Sequence, residues 1–428
     1  MKRREFLHKT TALAAAGISA PSIIPSHVLA GPGRPGANDR LQIAFIGLGG
    51  RARWLLQYED FSAVQIVAIA DPFLRRCDEF AKVLPDGEKW KKYQNYHEMF
   101  EKEKLDAVFV ETTTHARVLV CIHVMQAGLD VYAEKPLTLT VAEGRTLAQA
   151  ARKYNRVLQT GTQQRSIPIN VYASKLVREG AIGKVKSVVV CNFEGPEIWK
   201  PKPAEPMPEG LDWDQWCNQT ELRPYHRDLH LRWAWWWDYD GGGKSWGVSG
   251  WGTHSLDQVQ CALGTDDTGP VEIVPEEPGP QCKVTLRYSN GTLVKLEQEK
   301  INDHQQLGGI FVGEKGVLQI IRGNFKAEPK ELDAELRKNA PEPTPEGKNE
   351  CAPHLKDFFE CMRTRKQPLA DVEIGHRSTT VCHLVNICRE VGRKLQWDPK
   401  EEKFIGDEEA NKKLSRPRRK GYELPKIV

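Results

Sequence analysis

The sequence lacks any C-x-x-C pair. Its ten cysteines are scattered, so neither a zinc site nor a thioredoxin-like motif is indicated, and no metal is expected. It also lacks an excess of either charge, with 61 Lys+Arg against 57 Asp+Glu in 428 residues. That balance argues against a nucleic-acid protein held by a broad basic field. One dense basic cluster, Arg416 to Lys420 in "SRPRRKGY", reads as a solvated tail or as an arm over a neighbouring subunit. Finally, no apolar run reaches the roughly 18 residues that a membrane span needs, so no stable span is expected.

What is present begins with the N-terminus. "MKRREFLHKT" carries Arg3-Arg4 and then Phe6-Leu7, ahead of a mild apolar stretch from Thr11 to Ile24 and small residues up to Ala30. The pattern is similar to a twin-arginine signal over residues 1–30. It predicts a partner in the twin-arginine export machinery and an exported, periplasmic or extracellular protein. A Gly/Pro-rich linker, 31–40, follows.

Residues 41–165 then alternate between short apolar runs and helical patterns. "LQIAFI" reads as a buried parallel strand that ends on Gly47-x-Gly49-Gly50-Arg51-Ala52. The first glycine permits a tight turn, the second lets backbone approach a pyrophosphate, and the small third residue packs helix on strand. The helix N-terminus offers its free N–H groups to phosphate. A second strand ends on Asp71, an acid placed to accept hydrogen bonds from a ribose and to repel a 2′-phosphate. NAD is therefore the expected cofactor, with NADP left open by the nearby Arg75 and Arg76. "LDAVFVET" and "DVYAEK" continue the alternation, and a capping box, Thr140-x-x-Glu143, opens the helix after the second of them. The expectation is a doubly wound parallel sheet with its ligand at the carboxyl ends of the strands. Thr112, Glu134 and Lys135 stand at such ends. A lysine there can take the proton of an alcohol as hydride leaves, provided burial lowers its proton affinity. Glu134 could hold the amine. Position alone leaves open a simple salt bridge at a strand end.

Gly47-Leu-Gly-Gly-Arg-Ala-Arg, Asp71-Pro, Glu134-Lys-Pro and "GTQQRS" at 161–166 together resemble the Gfo/Idh/MocA oxidoreductase family. The resemblance implies that Lys135 is a catalytic lysine, with a cis bond to Pro136. It implies an α/β fold: an N-terminal Rossmann domain followed, over 166–400, by an α+β domain with an open, mostly antiparallel sheet that is often used for oligomerisation. A homo-oligomer is therefore expected. Residues 401–428 would form a C-terminal tail.

The sequence agrees about the second domain. "CKVTLRYSNGTLVKLEQE" alternates and turns at Asn290-Gly291, a hairpin signal; "GIFVGEKGVLQII" reads as another hairpin, and 327–350 as a polar surface excursion. Nine of the twelve tryptophans fall between Trp199 and Trp251. Flat amphipathic rings such as Trp235, close to Asp238, Asp240, His226 and His230, would suit a carbohydrate. Gln164, Arg165, His254 and Asp257 complete the expected substrate contacts. The resemblance implies an Asp-x-x-x-His pattern, with the histidine at the reacting hydroxyl. Here the histidine is His254, and Gly250 stands in the acid's place. A second departure puts His115 near the cofactor in "ETTTHARVL". The expected function is an exported NAD(P)-dependent sugar or polyol oxidoreductase with tightly bound cofactor, its acid/base chemistry on Lys135 and His254. The alternatives are a glycoside-cleaving enzyme that oxidises, eliminates, hydrates and reduces, or a non-catalytic sugar-binding protein.

Overall fold

The computed structural model describes residues 40–240, 247–297 and 307–427. The signal-like segment and most of the linker lie outside the described residues. By contacts the described residues divide into 40–41 with 61–65, and 42–60 with those of 66–427; every candidate site residue belongs to the second unit.

Six short strands form the first sheet: β1 (Leu41–Ile46), β2 (Val64–Ala70), β3 (Lys91–Tyr93), β4 (Ala107–Val110), β5 (Asp130–Ala133) and β6 (Leu158–Thr160). Their order is β3-β2-β1-β4-β5-β6, the doubly wound arrangement whose reversal point lies between β1 and β4. The central strands are apolar throughout because helices cover both faces. One row of rings runs across them. Phe45 of β1 faces Phe109 of β4, which faces Tyr132 of β5, with ring centroids 4.8 Å apart at each step. Cross-strand aromatic pairs of this kind fix register as well as adding contact.

The second sheet has nine strands. They are β7 (Val185–Cys191), β8 (Glu272–Pro275), β9 (Val284–Arg287), β10 (Leu293–Glu297), β11 (Gly308–Gly313), β12 (Val317–Ile321), β13 (Asn324–Glu328), β14 (Leu395–Asp398) and β15 (Lys403–Phe404). The order is β13-β12-β11-β7-β10-β9-β8-β14-β15. All neighbours pair antiparallel except β7 with β10. Both expected hairpins form, and the first turns at Gly291 with φ +89°. One sheet face buries Val188, Val190, Leu286, Val294 and Phe311 against the helices Pro168–Arg178, Trp251–Leu263 and Val372–Val391. The last of these helices also presses on the Rossmann helix Val141–Lys153, where a Cβ at Gly144 would overlap the His376 ring. The two domains are thus locked at a helix pair beside the strand ends.

The 327–350 excursion lies at the surface, and it carries the end of β13 and a helix, Lys330–Arg337, with no buried residue. The expectation for the C-terminus needs correction. The C-terminal segment is neither a solvated tail nor an arm reaching outward. Arg418 bonds Glu143 and Gln219, Arg419 and Tyr422 both bond Asp214, and Leu424 and Ile427 pack against the Rossmann core. Its arginines find carboxylates and carbonyls within the same chain. Among the described residues no helix is long and apolar enough to cross a membrane.

Candidate active site

The reversal point of the first sheet opens into a cavity of 350 Å3. Its floor is the turn after β1. Gly47 adopts φ +87°, and a Cβ there would sit 2.7 Å from the Thr112 backbone, so only glycine lets β1 and β4 approach this closely. A Cβ at Gly49 or Gly50 would meet nothing within 4 Å; both glycines leave backbone bare at the start of the helix Gly50–Tyr58. Asp71, at the end of β2, accepts the Leu48 N–H at 2.8 Å and the Phe73 N–H at 2.9 Å. Arg76 also lines the cavity and reaches the His230 ring at 3.2 Å. Bare backbone at a helix start beside an acid at the end of the second strand is the donor set a dinucleotide requires, and the residues present fit one.

Glu134 and Lys135 follow β5, and their side chains part. Glu134 is 3% exposed; it accepts the Arg51 Nε at 2.7 Å and the Lys135 backbone N–H at 3.0 Å. Burial opposes its charge, but Arg51 and Lys135 outweigh that and hold the carboxyl below its ordinary range. Lys135 turns the other way, and its Nζ donates to the Gly250 carbonyl at 3.2 Å. The expectation that Glu134 grips the amine is therefore corrected: a backbone carbonyl holds it, and the acid is engaged by Arg51. Burial lowers the amine's pKa to about 8, with Glu134 and Asp240 opposing that fall and Arg51 and Arg322 adding to it. The Lys135–Pro136 bond is cis.

A second cavity, of 510 Å3, adjoins the first. Arg51, Lys135 and Trp251 line both. His254 lines only the second, with Trp54, Tyr58 and Arg322 among its companions. His254 is 5% exposed, and its Nδ1 has no hydrogen-bond partner among the described residues. Burial, then the positive charges of Arg322, Lys135 and Arg51, press its pKa well below that of an ordinary histidine, so the ring is neutral. Lys135 thus stands on the boundary between the glycine-floored cleft and the chamber holding His254.

Other expected residues lie elsewhere. His115 lies outside the lining of the cleft. It is fully buried between the Trp216 and Tyr239 rings, its Nε2 lies 2.9 Å from the Trp216 carbonyl, and burial lowers its pKa to about 4. Its helix, Thr114–Gln126, is buried on nearly every side, so a residue one step from the cleft can point wholly into the core. Arg165 and Asp257 bond each other at 2.8 Å, and Asp266 completes the group. They brace the helix Trp251–Leu263 rather than lining either cavity. Gln164 meets the chamber wall from behind: its Oε1 accepts from Arg322 at 3.3 Å and its Nε2 donates to the Leu307 carbonyl at 3.4 Å. Trp235 carries Arg232 on its ring, whereas Trp216 and Trp233 line the cleft. Asp238 pairs with Arg223 at 2.7 Å and faces a separate cavity beside Trp237 and Arg416.

Two site residues were not anticipated in these positions, and a third was expected only as one acid among the tryptophan rings. Arg117, 2% exposed, donates to the Pro136 and Thr112 carbonyls and so ties the ends of β4 and β5 together. Glu111 lines the cleft with no partner on either oxygen among the described residues; burial, then the charge of Glu134, raises its pKa well above that of an ordinary carboxylate. Asp240 lines the cleft from the tryptophan-rich segment. The only sequence signal for it is an acid set among aromatics in "WWWDYDGGG".

Comparisons with known proteins agree with this layout. The Gfo/Idh/MocA model for an oxidoreductase family NAD-binding Rossmann fold matches residues 41–162. The family's C-terminal alpha/beta domain model matches 168–424. Scyllo-inositol 2-dehydrogenase (NAD(+)) of Bacillus subtilis is 28% identical over 120 residues, 28% of this chain and 34% of that protein. A glycosyl hydrolase family 109 protein of Shewanella pealeana is 26% identical over 203 residues, 43% of this chain and 44% of that one. The matched stretch thus spans between a third and a half of these curated relatives. Among solved structures, the aldose-aldose oxidoreductase of Caulobacter crescentus superposes with a TM-score of 0.58 at 21% identity, covering 83% of this chain and 99% of that one; this likeness concerns the fold.

Proposed function

We propose, from the premise that the chain belongs to the Gfo/Idh/MocA oxidoreductase family, that it is an exported NAD(P)-dependent oxidoreductase of a sugar, polyol or sugar derivative. The observation that carries this reading is the place of Lys135, which lines both the glycine-floored cleft and the chamber of His254. A dinucleotide held at Gly47, Gly49, Gly50 and Asp71 would supply the hydride acceptor. The chain's own residues do the rest. The neutral Lys135 amine takes the proton of the substrate hydroxyl at Nζ, its affinity already lowered by burial. The unpartnered Nδ1 of His254 accepts a hydrogen bond from a hydroxyl in the chamber and orients it. Trp54, Tyr58 and Trp251 offer flat faces to the apolar side of a sugar ring. General acid–base help from such a lysine is worth roughly 10²–10⁴-fold in rate.

Retention of the cofactor is part of the proposal, because free dinucleotide is scarce outside the cytoplasm. Support comes from the tryptophan-rich segment, which covers the cleft with Gln215, Trp216 and Trp233. Export rests on Arg3-Arg4; lysine at both positions should leave the protein in the cytoplasm. A homo-oligomer built on the nine-stranded sheet is also proposed, and light scattering of the mature protein checks it. The main test is mass spectrometry of the as-purified protein for bound nucleotide, together with turnover on a panel of sugars.

One observation favours a second reading. Gly250 stands where the resemblance places an acid, which leaves His254 without that partner, and one relative is named a glycosyl hydrolase. A redox-elimination glycosidase would release free sugar from glycosides with no net change in nicotinamide oxidation state; a dehydrogenase would not.

A further inference from the structure

We propose that Asp240 is the acid partner of the Lys135 site, a positioning residue that reaches it from the tryptophan-rich segment. The proposal rests on the reading of Lys135 as acid/base. Asp240 is 2% exposed and lines the same cleft as Lys135 and Gly250. Each of its oxygens has one hydroxyl donor. Oδ1 accepts from Thr114 Oγ1 at 2.7 Å, and Oδ2 from Ser249 Oγ at 3.0 Å. Thr114 opens the helix that follows β4. Ser249 immediately precedes Gly250, whose carbonyl holds the Lys135 amine. The carboxylate therefore pins together the end of a Rossmann strand, the tryptophan-rich segment and the turn that positions the amine.

Neither hydroxyl neutralises the charge, and no cation pairs directly with Asp240 among the described residues. The cations that feel it are Lys135, Arg117 and Arg416. Glu134 is Lys135's other acid neighbour, but it is bound to Arg51. Arg51 and Arg322 face the amine as opposing positive charges, and the neutral His254 completes its surroundings. A buried carboxylate that spends no charge on an ion pair retains its field for the amine. The first hydroxyl holds Asp240 to the Rossmann domain and the second holds the turn. Loss of the carboxylate should therefore disturb both the amine's position and its proton affinity.

The test compares Asp240→Asn, Ser249→Ala and Lys135→Met in the full chain with bound cofactor. Lysine without its negative neighbour loses its proton more readily. The rising limb of rate against pH, near 8 in the native protein, should then move down by roughly half a unit or more in Asp240→Asn. Its kcat should fall about tenfold with KM nearly unchanged, as for an interaction made in the transition state. Ser249→Ala keeps the charge and should lower kcat by a few-fold without moving the limb. It also serves as the readout if Asp240→Asn fails to fold. An Asp240→Asn protein that loses thermal stability but keeps the native limb and kcat would overturn the proposal, as would a Ser249→Ala protein with native kcat. Lys135→Met separates the two readings. If it retains native turnover, the acid/base assignment itself fails. If it loses turnover while Asp240→Asn does not change, only the role of Asp240 fails.

Discussion

The floor of the cleft and its cover are built by opposite means. The floor comes from residues adjacent in sequence at the ends of four parallel strands, placed by three-residue turns after β1, β2 and β4 and by the longer connection 134–140 after β5. The cover, 194–240 and 247–250 among the described residues, has little regular structure: helices of five residues at Trp213–Cys217 and Arg227–Leu231 and a short 3₁₀ turn at Trp233–Trp235. It is held by rings instead. Trp199, Trp213, Trp216, Tyr225, Trp236 and Tyr239 form a core of their own, and the Trp213 and Trp216 rings stack 4.5 Å apart. From outside, Arg419 and Tyr422 grip Asp214; the next two residues, Gln215 and Trp216, line the cleft. Strand ends give fixed geometry at low cost in sequence, while an aromatic cover supplies a shaped lid whose residues must be found in three dimensions.

Four substitutions sharpen that contrast. The largest effect should come from the floor: Lys135→Met should lower turnover roughly 10²–10⁴-fold, measured by steady-state kinetics, with thermal unfolding little changed. Trp216→Ala removes a ring that is 4% exposed from the cover's core and should cost about 3–5 kcal/mol. It should also strip nucleotide from the purified protein, checked by absorbance of the denatured supernatant. Equal retention of nucleotide in wild type and variant would break the claim that the cover holds it. Gly47→Ala places a Cβ against the Thr112 backbone at positive φ and should cost about 1–3 kcal/mol, read from denaturant melts, with weaker nucleotide binding. The smallest effect should be Asp214→Asn. Its bond to Arg419 is partly exposed, 20% and 55% for the two side chains, so the loss should stay below about 1 kcal/mol.

The same contrast decides what could be read from the sequence. The doubly wound sheet and the hairpins of the second sheet follow from period, glycine placement and turn chemistry, whereas the mostly antiparallel second sheet as a whole is implied by the family resemblance. The strand-end residues Gly47, Asp71, Thr112 and Lys135 gather in one cavity because parallel strands all end on the same edge. The failures are equally physical. Glu134 and Lys135 are successive residues leaving a strand, where side chains alternate, so the acid could not share the lysine's side. His115 lies on a helix buried all round, where periodicity marks no functional face. Arg165 and Asp257 answer each other across two helical segments, and no spacing rule connects them. Asp240 and Trp216 enter the cleft only through the path of the cover, and nothing local distinguishes them from Asp238 or Trp235.

The central claim is that Lys135 exchanges the proton of a substrate hydroxyl. The most direct measurement is the rate of the oxidative half-reaction against pH in wild type and Lys135→Met, with the first active sugar found. Since only the neutral amine accepts a proton and its pKa is about 8, the wild-type rate should rise with pH to a plateau with its midpoint near that value. The variant should run at least about a hundredfold slower and show no such limb. A variant that keeps both the native rate and the native limb would contradict the account.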